Sequence, residues 1–480
     1  MTINMLNRLQ SKPTHVLVSW VFLRGLALIY LAAFASMAGQ IEGLIGENGI
    51  LPIKSELAAV TQNFPDSKFT VFPTVFWFDA SDQTLLMVCA GGMICAALLL
   101  FNLVDRIALL LCFTLYLSIS TAGQDFTAFQ WDALLLEAGF LGLFLSWGST
   151  ISVFLYQWLI ARFMFMGGLV KLASGDTSWT HLTALNYHYQ TQPLPSPVAY
   201  YAYHLPQWVN ELSVVAVLTI ELIFPFFIVL PRRFRLFAAW SFILLQSGIM
   251  LTGNYNFFNL LTILLCLFLF DDQAIEKILP TPLIYSIRQK QPLAGNAANS
   301  IAAGWLGIVL VTCAIHVWLY NIKQPLILPL KALVQLTTSY SLINNYGPFA
   351  IMTTERPEII VQGSNDGKNW LTYHFKYKPV NLDQKLIWLI PHQPRLDWQM
   401  WFAAMEKPTT HAWFAKFMQK LQKGSHQVLS LMDENPFRGK PPAHVRALLY
   451  RYTYTSPKQR ASTGKIWRRE YVGLYWPPKG

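Results

Sequence analysis

No cysteine lies outside an apolar run. Cys89, Cys95, Cys112, Cys266 and Cys313 each sit within one, no two form a Cys-x-x-Cys pair, and the chain beyond Cys313 has none. The C-terminal region is therefore not stapled by disulfides and performs no dithiol chemistry of its own. Charge is also scarce. Charged residues make up 13% of the 480 and hydrophobic residues 54%, against about 25% charged in soluble domains. That balance excludes an ordinary soluble protein and indicates a polytopic membrane protein. No zinc-ligand spacing is present, so no metal is expected. No nucleic-acid-binding motif accompanies the basic charge, so nucleic acid is not an expected partner. No internal repeat supports a transporter.

What charge there is lies unevenly. From Lys331 onward there are 21 basic and 9 acidic residues, and the remainder of the chain holds 15 and 16. A basic segment beside a bilayer favours anionic headgroups, so membrane lipids are expected partners. Apolar runs mark nine candidate spans at 14–38, 82–101, 107–122, 131–147, 150–172, 209–230, 234–252, 255–270 and 301–320, three of them short enough to be re-entrant. Arg8 and Lys12 precede the first run, which is longer than a signal-peptide core of about 7–15 residues and is read as a retained span. With the N-terminus cytoplasmic, Arg106, Arg232, Arg233, Arg235, Lys277, Arg288 and Lys290 fall on the cytoplasmic side. The acidic loop 39–82, the polar loop 172–208 and the whole C-terminal region then share the opposite face.

Ionisable and amide residues inside apolar runs are the candidates for function, because hydrocarbon penalises them. They are Arg24, Asp132, Glu137, Arg162, Glu221, Asn256 and Asn259. Asp132 and Glu137 point about 140° apart on a helical wheel and are not a carboxylate pair. Arg24 is expected to pair with Glu137, or Asp132 to cap its helix. Arg162 is expected in a structural ion pair. Asn256 and Asn259 are placed on one helix face, bonding between helices. Lys171, at the outer end of the fifth span, has two readings: its ammonium snorkels to the interface, or it serves as a desolvated general base. Asp176, His181 and His188 in the following loop would be its catalytic partners.

After the last span the pattern changes. PEIIVQGSNDGKNWLTYHFKYKP alternates about Asn365-Asp366-Gly367, a hairpin signal. LLYRYTYTS and KIWRREYVGLYW also alternate, while Arg395–Met405, Trp413–Gln422 and Gln427–Met432 read as helices. The expected fold is a polytopic α-helical membrane bundle of about nine spans (residues 1–325) followed by a small, sheet-rich α+β domain (326–480) on the non-cytoplasmic side.

Several stretches carry a family resemblance: FQWDALLLEAGFL, GLVKLASGDTSW, LTALNYHYQTQPLPSP, YGPFAIMTTERPEIIVQGS and IPHQPRLDWQMWFAA. Together they resemble the lipase maturation factor family over almost the whole chain. The resemblance implies a membrane protein that helps exported clients, such as lipases, reach their active fold, with no cofactor. It implies client contact through Tyr346, Glu355, Arg356, His392, Arg395, Asp397 and Trp398, which lie in the matching C-terminal motifs. Arg356, Arg395 and Asp397 have an equal claim to docking the C-terminal domain on the outer loops. A weaker resemblance, confined to the membrane half, is to vitamin K-dependent carboxylases. It implies a base at Lys171 acting on a quinone-like or lipid substrate. Short spans and low cysteine usage point to a bacterial inner membrane, and to the endoplasmic reticulum if the source is eukaryotic.

Overall fold

The computed structural model describes residues 14–289, 296–322 and 328–478. Arg8, Lys12, Lys290 and the expected boundary at 325–326 lie outside the described residues. Among the described residues, nine helices make the bundle: α1 Val16–Ala38, α2 Asp82–Leu100, α3 Asp105–Ala122, α4 Gln130–Ser146, α5 Ile151–Ala173, α6 Gln207–Leu222, α7 Arg232–Thr252, α8 Phe258–Leu265 and α9 Asn296–Ile322. Six of them, α1, α2, α3, α5, α7 and α9, are long and apolar enough to cross a membrane. At 1.5 Å per residue, the 23 residues of α1 reach about 35 Å, enough for a hydrocarbon core of about 30 Å. The outward faces suit lipid, with Ile94, Leu110 and Leu244 exposed.

The expected count of nine spans is not confirmed. The runs 131–147, 209–230 and 255–270 form the shorter α4, α6 and α8, the last two followed by 3-10 turns at Phe224–Val229 and Cys266–Leu269. In α4, 13 of 17 residues are buried, Asp132 and Glu137 among them. A helix sheathed by protein on nearly every side can carry acids where their partners are protein groups rather than lipid.

Polar contacts close one end of the bundle. Asp272 accepts from the backbone N–H groups of Val16 (2.9 Å) and Leu17 (2.8 Å), placing a carboxylate at the N-terminus of α1. Arg106 donates to the Ser146 carbonyl (3.4 Å), which brings the start of α3 to the end of α4.

The C-terminal region covers the other end. Its four antiparallel strands, in the order β2-β1-β5-β6, are β1 Arg356–Ser364, β2 Leu371–Thr372, β5 His444–Tyr454 and β6 Trp467–Trp476. β3 (His374–Phe375) and β4 (Met432–Glu434) pair separately. β1 runs in unbroken register along β5, from Arg356 opposite Tyr452 to Ser364 opposite His444. β6 is bulged twice against β5. The expected helix Arg395–Met405 (α10) forms with those bounds, and the second is Ala412–Gln422 (α11). The third is shorter than expected: His426–Leu429 is helical and Met432 already begins β4. Buried side chains from Leu17 to Tyr475 form one continuous cluster, so bundle and sheet share a core.

Candidate functional site

The groups that hydrocarbon disfavours are paired, but not always as expected. Arg24 pairs with Asp105 and Asn102, at the turn between α2 and α3, rather than with Glu137. Glu137 pairs instead with Arg162. Its other oxygen accepts from the Tyr346 hydroxyl (2.8 Å) and the Asn344 backbone N–H (3.1 Å). Asp132 does not cap α4. It takes a two-pronged bond from Arg395, at 2.8 and 2.7 Å, the arrangement in which guanidinium and carboxylate bind most strongly. The same guanidinium donates to the Phe126 carbonyl (2.8 Å).

Lys171 does not snorkel. Its ammonium is buried, 2.5 Å from Glu221, and donates to the Gly167 carbonyl (3.2 Å). The approach of α6 depends on Gly168, where a Cβ would come 2.9 Å from the Cβ of Glu221. The three intended partners of Lys171 have other occupations. Asp176 caps a short helix through the Ser178 N–H (2.9 Å) and accepts from the Met352 N–H (2.6 Å). Burial pushes its carboxyl up, but these bonds hold it below the usual range. His181 is exposed. His188 is buried, with Nε2 3.2 Å from the Tyr255 hydroxyl and its ring edge-on to Phe349. Burial, then the charge of Lys171, lower its pKa to about 4.

Asn256 and Asn259 share no helix face. Asn256 precedes α8 with φ 49° and donates to the Gln393 side chain (2.7 Å), whereas Asn259 donates to Gln246 (2.6 Å). Asn residues tolerate a left-handed backbone, which helix periodicity cannot register.

The C-terminal candidates divide. Arg356, fully buried, pairs with Glu358 (2.7 Å) and donates to the carbonyls of Gln190 (2.9 Å), Gln192 and Pro193 (2.9 Å). His392 meets the Ser36 hydroxyl through Nδ1 (2.9 Å), and burial lowers its pKa. Tyr346, Arg356, His392 and Arg395 thus fasten the region to three separate stretches of the bundle: α4, the segment 190–193 and the end of α1. Asp397 does not dock. It accepts from the backbone N–H groups of Tyr377 and Lys378 (both 2.9 Å) within its own domain, and burial raises its pKa to about 6. Glu355 is exposed and pairs with Arg451 (3.0 Å).

Trp398 faces a feature the sequence did not reveal, a cavity of about 810 Å³ between bundle and sheet. Its lining includes Phe129, Trp131, Phe258, Trp398, Trp401 and Phe402, with Glu355 and Arg451 among the polar members. Also unforeseen were the contacts of Ser36, Gln40 and Tyr116. Gln40, for example, accepts from the Arg395 N–H (2.9 Å) and donates to the Gln393 carbonyl (2.7 Å). A glutamine at the end of an apolar helix was the available signal for it. Among the described residues no cluster of potential metal ligands occurs.

The profile of the lipase maturation factor transmembrane domain matches residues 17–277, and that of the family's C-terminal domain matches residues 342–477. The chain belongs to the lipase maturation factor family. Lipase maturation factor 2 of Xenopus tropicalis is 34% identical, with 95% of this chain and 81% of that protein aligned. Mouse lipase maturation factor 1 is also 34% identical, over 95% and 86%. The human lipase maturation factor 1 is 33% identical, over 95% and 87%. No solved structure matches. The interdomain contacts therefore join the two family-matched parts of the chain, α4 and the 172–208 loop from one and α10 and β1 from the other. Nothing found supports the carboxylase-like alternative.

Proposed function

We propose that this protein is a membrane-embedded maturation factor that helps exported proteins, lipases among them, reach their active fold by binding them. The observation that carries this reading is the likeness to proteins named lipase maturation factors along 95% of the chain. The paired state of Lys171 favours binding over covalent chemistry, since an ammonium held by Glu221 at 2.5 Å is not an available base. In this reading Lys171, Asp176 and His188 shape the junction, and Tyr346, Arg356, His392 and Arg395 hold the C-terminal domain rigidly on the bundle. Glu355 and the exposed sheet meet the client. The domain division is 1–325 and 326–480. The C-terminal domain faces away from the cytoplasm, and the membrane is a bacterial inner membrane.

Depletion of the protein is expected to lower the specific activity of an exported lipase without lowering its transcript. Unchanged lipase activity after clean deletion removes the proposal. The division between binding and catalysis is tested by Lys171→Met combined with Glu221→Met. A binding factor retains maturation activity in the double variant, whereas a Lys171-dependent enzyme loses it.

A further inference from the structure

The outward face of α7 is apolar along most of its length. Phe237, Trp240, Leu244 and Leu251 are exposed and recur at helix spacing, so they form one stripe of about 21 Å that suits lipid. The stripe stops at Leu251, and α7 stops one residue later. Apolar exposure does not stop there. It passes to side chains from other parts of the chain.

Two arrangements bring those side chains to this level. Asn254, buried two residues past α7, accepts from the Leu389 N–H (2.7 Å) and donates to the Ile387 carbonyl (2.9 Å). One side chain thus grips the residues on both sides of Trp388, which is 55% exposed with Ile387 exposed beside it. On the connector, Ser196 donates its hydroxyl to the Leu251 carbonyl (2.5 Å) and its N–H to the Thr252 carbonyl (3.3 Å). The short helix Pro197–Tyr203 starts from that anchor and presents Tyr201, 63% exposed. Leu205 and Trp208 are exposed where the chain enters α6.

Contiguous exposed apolar groups mark a contact surface, and the position of these says with what. The 21 residues of α7 reach about 31 Å, close to a hydrocarbon core of about 30 Å, so the ends of α7 mark the two membrane interfaces. Trp and Tyr gather at that depth, where a ring meets acyl chains and its polar atom meets headgroups. The patch is also continuous with the lipid-facing stripe. Arg460, from the short helix Pro457–Thr463 of the C-terminal region, lies over the rings of Tyr200 (4.3 Å) and Tyr201 (5.5 Å). A cation therefore stands beside the rings, where a lipid phosphate can meet it.

We propose that these side chains form a collar in the bilayer interface. The rings of Tyr201, Trp208 and Trp388 lie among the glycerol and upper acyl groups of the leaflet at the C-terminal region's end of the bundle, and Arg460 meets lipid phosphate. The C-terminal region then rests on the membrane as well as on the bundle. This holds whichever compartment that end faces, and it does not depend on the maturation reading.

Nitroxide labels are placed singly at Trp388→Cys and Tyr201→Cys, both exposed positions, in the full chain in phosphatidylcholine nanodiscs. Leu244→Cys, on the stripe, and Lys368→Cys, at the exposed turn of the sheet, are the references. The unsubstituted chain gives the background from the native cysteines. Power-saturation electron paramagnetic resonance reads the access of oxygen, which concentrates among acyl chains, and of a neutral nickel chelate, which stays in water. The oxygen-to-nickel access ratio at 388 and 201 is expected to be severalfold above that at 368 and below that at 244. A ratio at either site equal to that at 368 puts the side chain in water and overturns the proposal. Low access of both reagents overturns it as well, and assigns the surface to bound polypeptide, a client or a second copy of the chain.

Discussion

An ammonium out of water needs a counter-charge, and Glu221 supplies one to Lys171 at 2.5 Å. Removing either partner leaves the other buried alone, which costs about 3–5 kcal/mol. Lys171→Met is therefore expected to lower the melting temperature of the detergent-solubilised chain sharply, and Glu221→Met in addition to restore most of the loss. A Lys171→Met protein as stable as wild type would exclude the structural role. A second residue-scale effect concerns pH. Asp397 has its pKa raised to about 6 by burial, against about 3.9 unfolded, so the folded state holds a proton the unfolded state has lost. Its contribution makes the fold less stable as pH rises from about 4 to 6. His188 has its pKa lowered to about 4, against about 6.5 unfolded, so its contribution is lost as pH falls through that interval. The two slopes oppose each other. Asp397→Asn keeps an acceptor for the Tyr377 and Lys378 N–H groups, both of which bond one oxygen. The variant is expected to be at least as stable as wild type at pH 7. It should then lose on the order of 3 kcal/mol between pH 6.5 and 4, as His188 acts unopposed. Thermal unfolding across pH 4–8 checks this, and a variant no more acid-sensitive than wild type contradicts it.

Among the elements, the β1–β2 connection shows how turn chemistry specifies a register. Asp366 accepts from the backbone N–H groups of Lys368 (2.8 Å) and Asn369 (2.7 Å), which holds its carboxyl well below the usual range. Gly367 follows at φ 71°. Gly367→Ala forces a Cβ into the left-handed region and is expected to cost about 1–2 kcal/mol, read as a lower melting temperature with the sheet retained by circular dichroism. This turn was legible because Asn-Asp-Gly between alternating strands has a local cause. The bounds of α10 were legible for a similar reason, since Pro394 precedes a run whose next acid, Asp397, lies in the first turn. The pairing of Arg395 with Asp132 was not, because 263 residues separate them and no local pattern encodes which acid a buried arginine meets. Arg24 was assigned the wrong acid on the same account: its partner Asp105 lies 81 residues away, at the start of α3. The cavity was invisible for a further reason. It arises where bundle and sheet fail to fill the space between them, a property of packing rather than of any segment.

For the whole molecule, the shared core and the interdomain bonds place loop 39–82, the 172–208 connector and the C-terminal sheet at one end of the bundle. Ser425 donates to the Asn48 carbonyl (2.7 Å), Trp401 to the Thr191 carbonyl (2.7 Å) and Asn254 to the Ile387 carbonyl (2.9 Å), so three loops of the membrane half touch the sheet-bearing region. The basic residues Arg232, Arg235 and Arg288 belong to the opposite end, where Arg232 pairs with Asp271 and Asp272 receives the start of α1. In the orientation proposed above, which follows the positive-inside rule, that end is the cytoplasmic one. Scarcity of cysteine makes the assignment easy to test, because Cys89, Cys95, Cys112 and Cys266 are buried and Cys313 is half-buried in α9. A membrane-impermeant maleimide is expected to label Lys368→Cys, at an exposed turn, in intact cells or spheroplasts, and to label Thr281→Cys, also exposed, only after permeabilisation. The reverse pattern would put the sheet in the cytosol, where no exported lipase folds, and the maturation role would have to be abandoned while every contact between bundle and sheet stood.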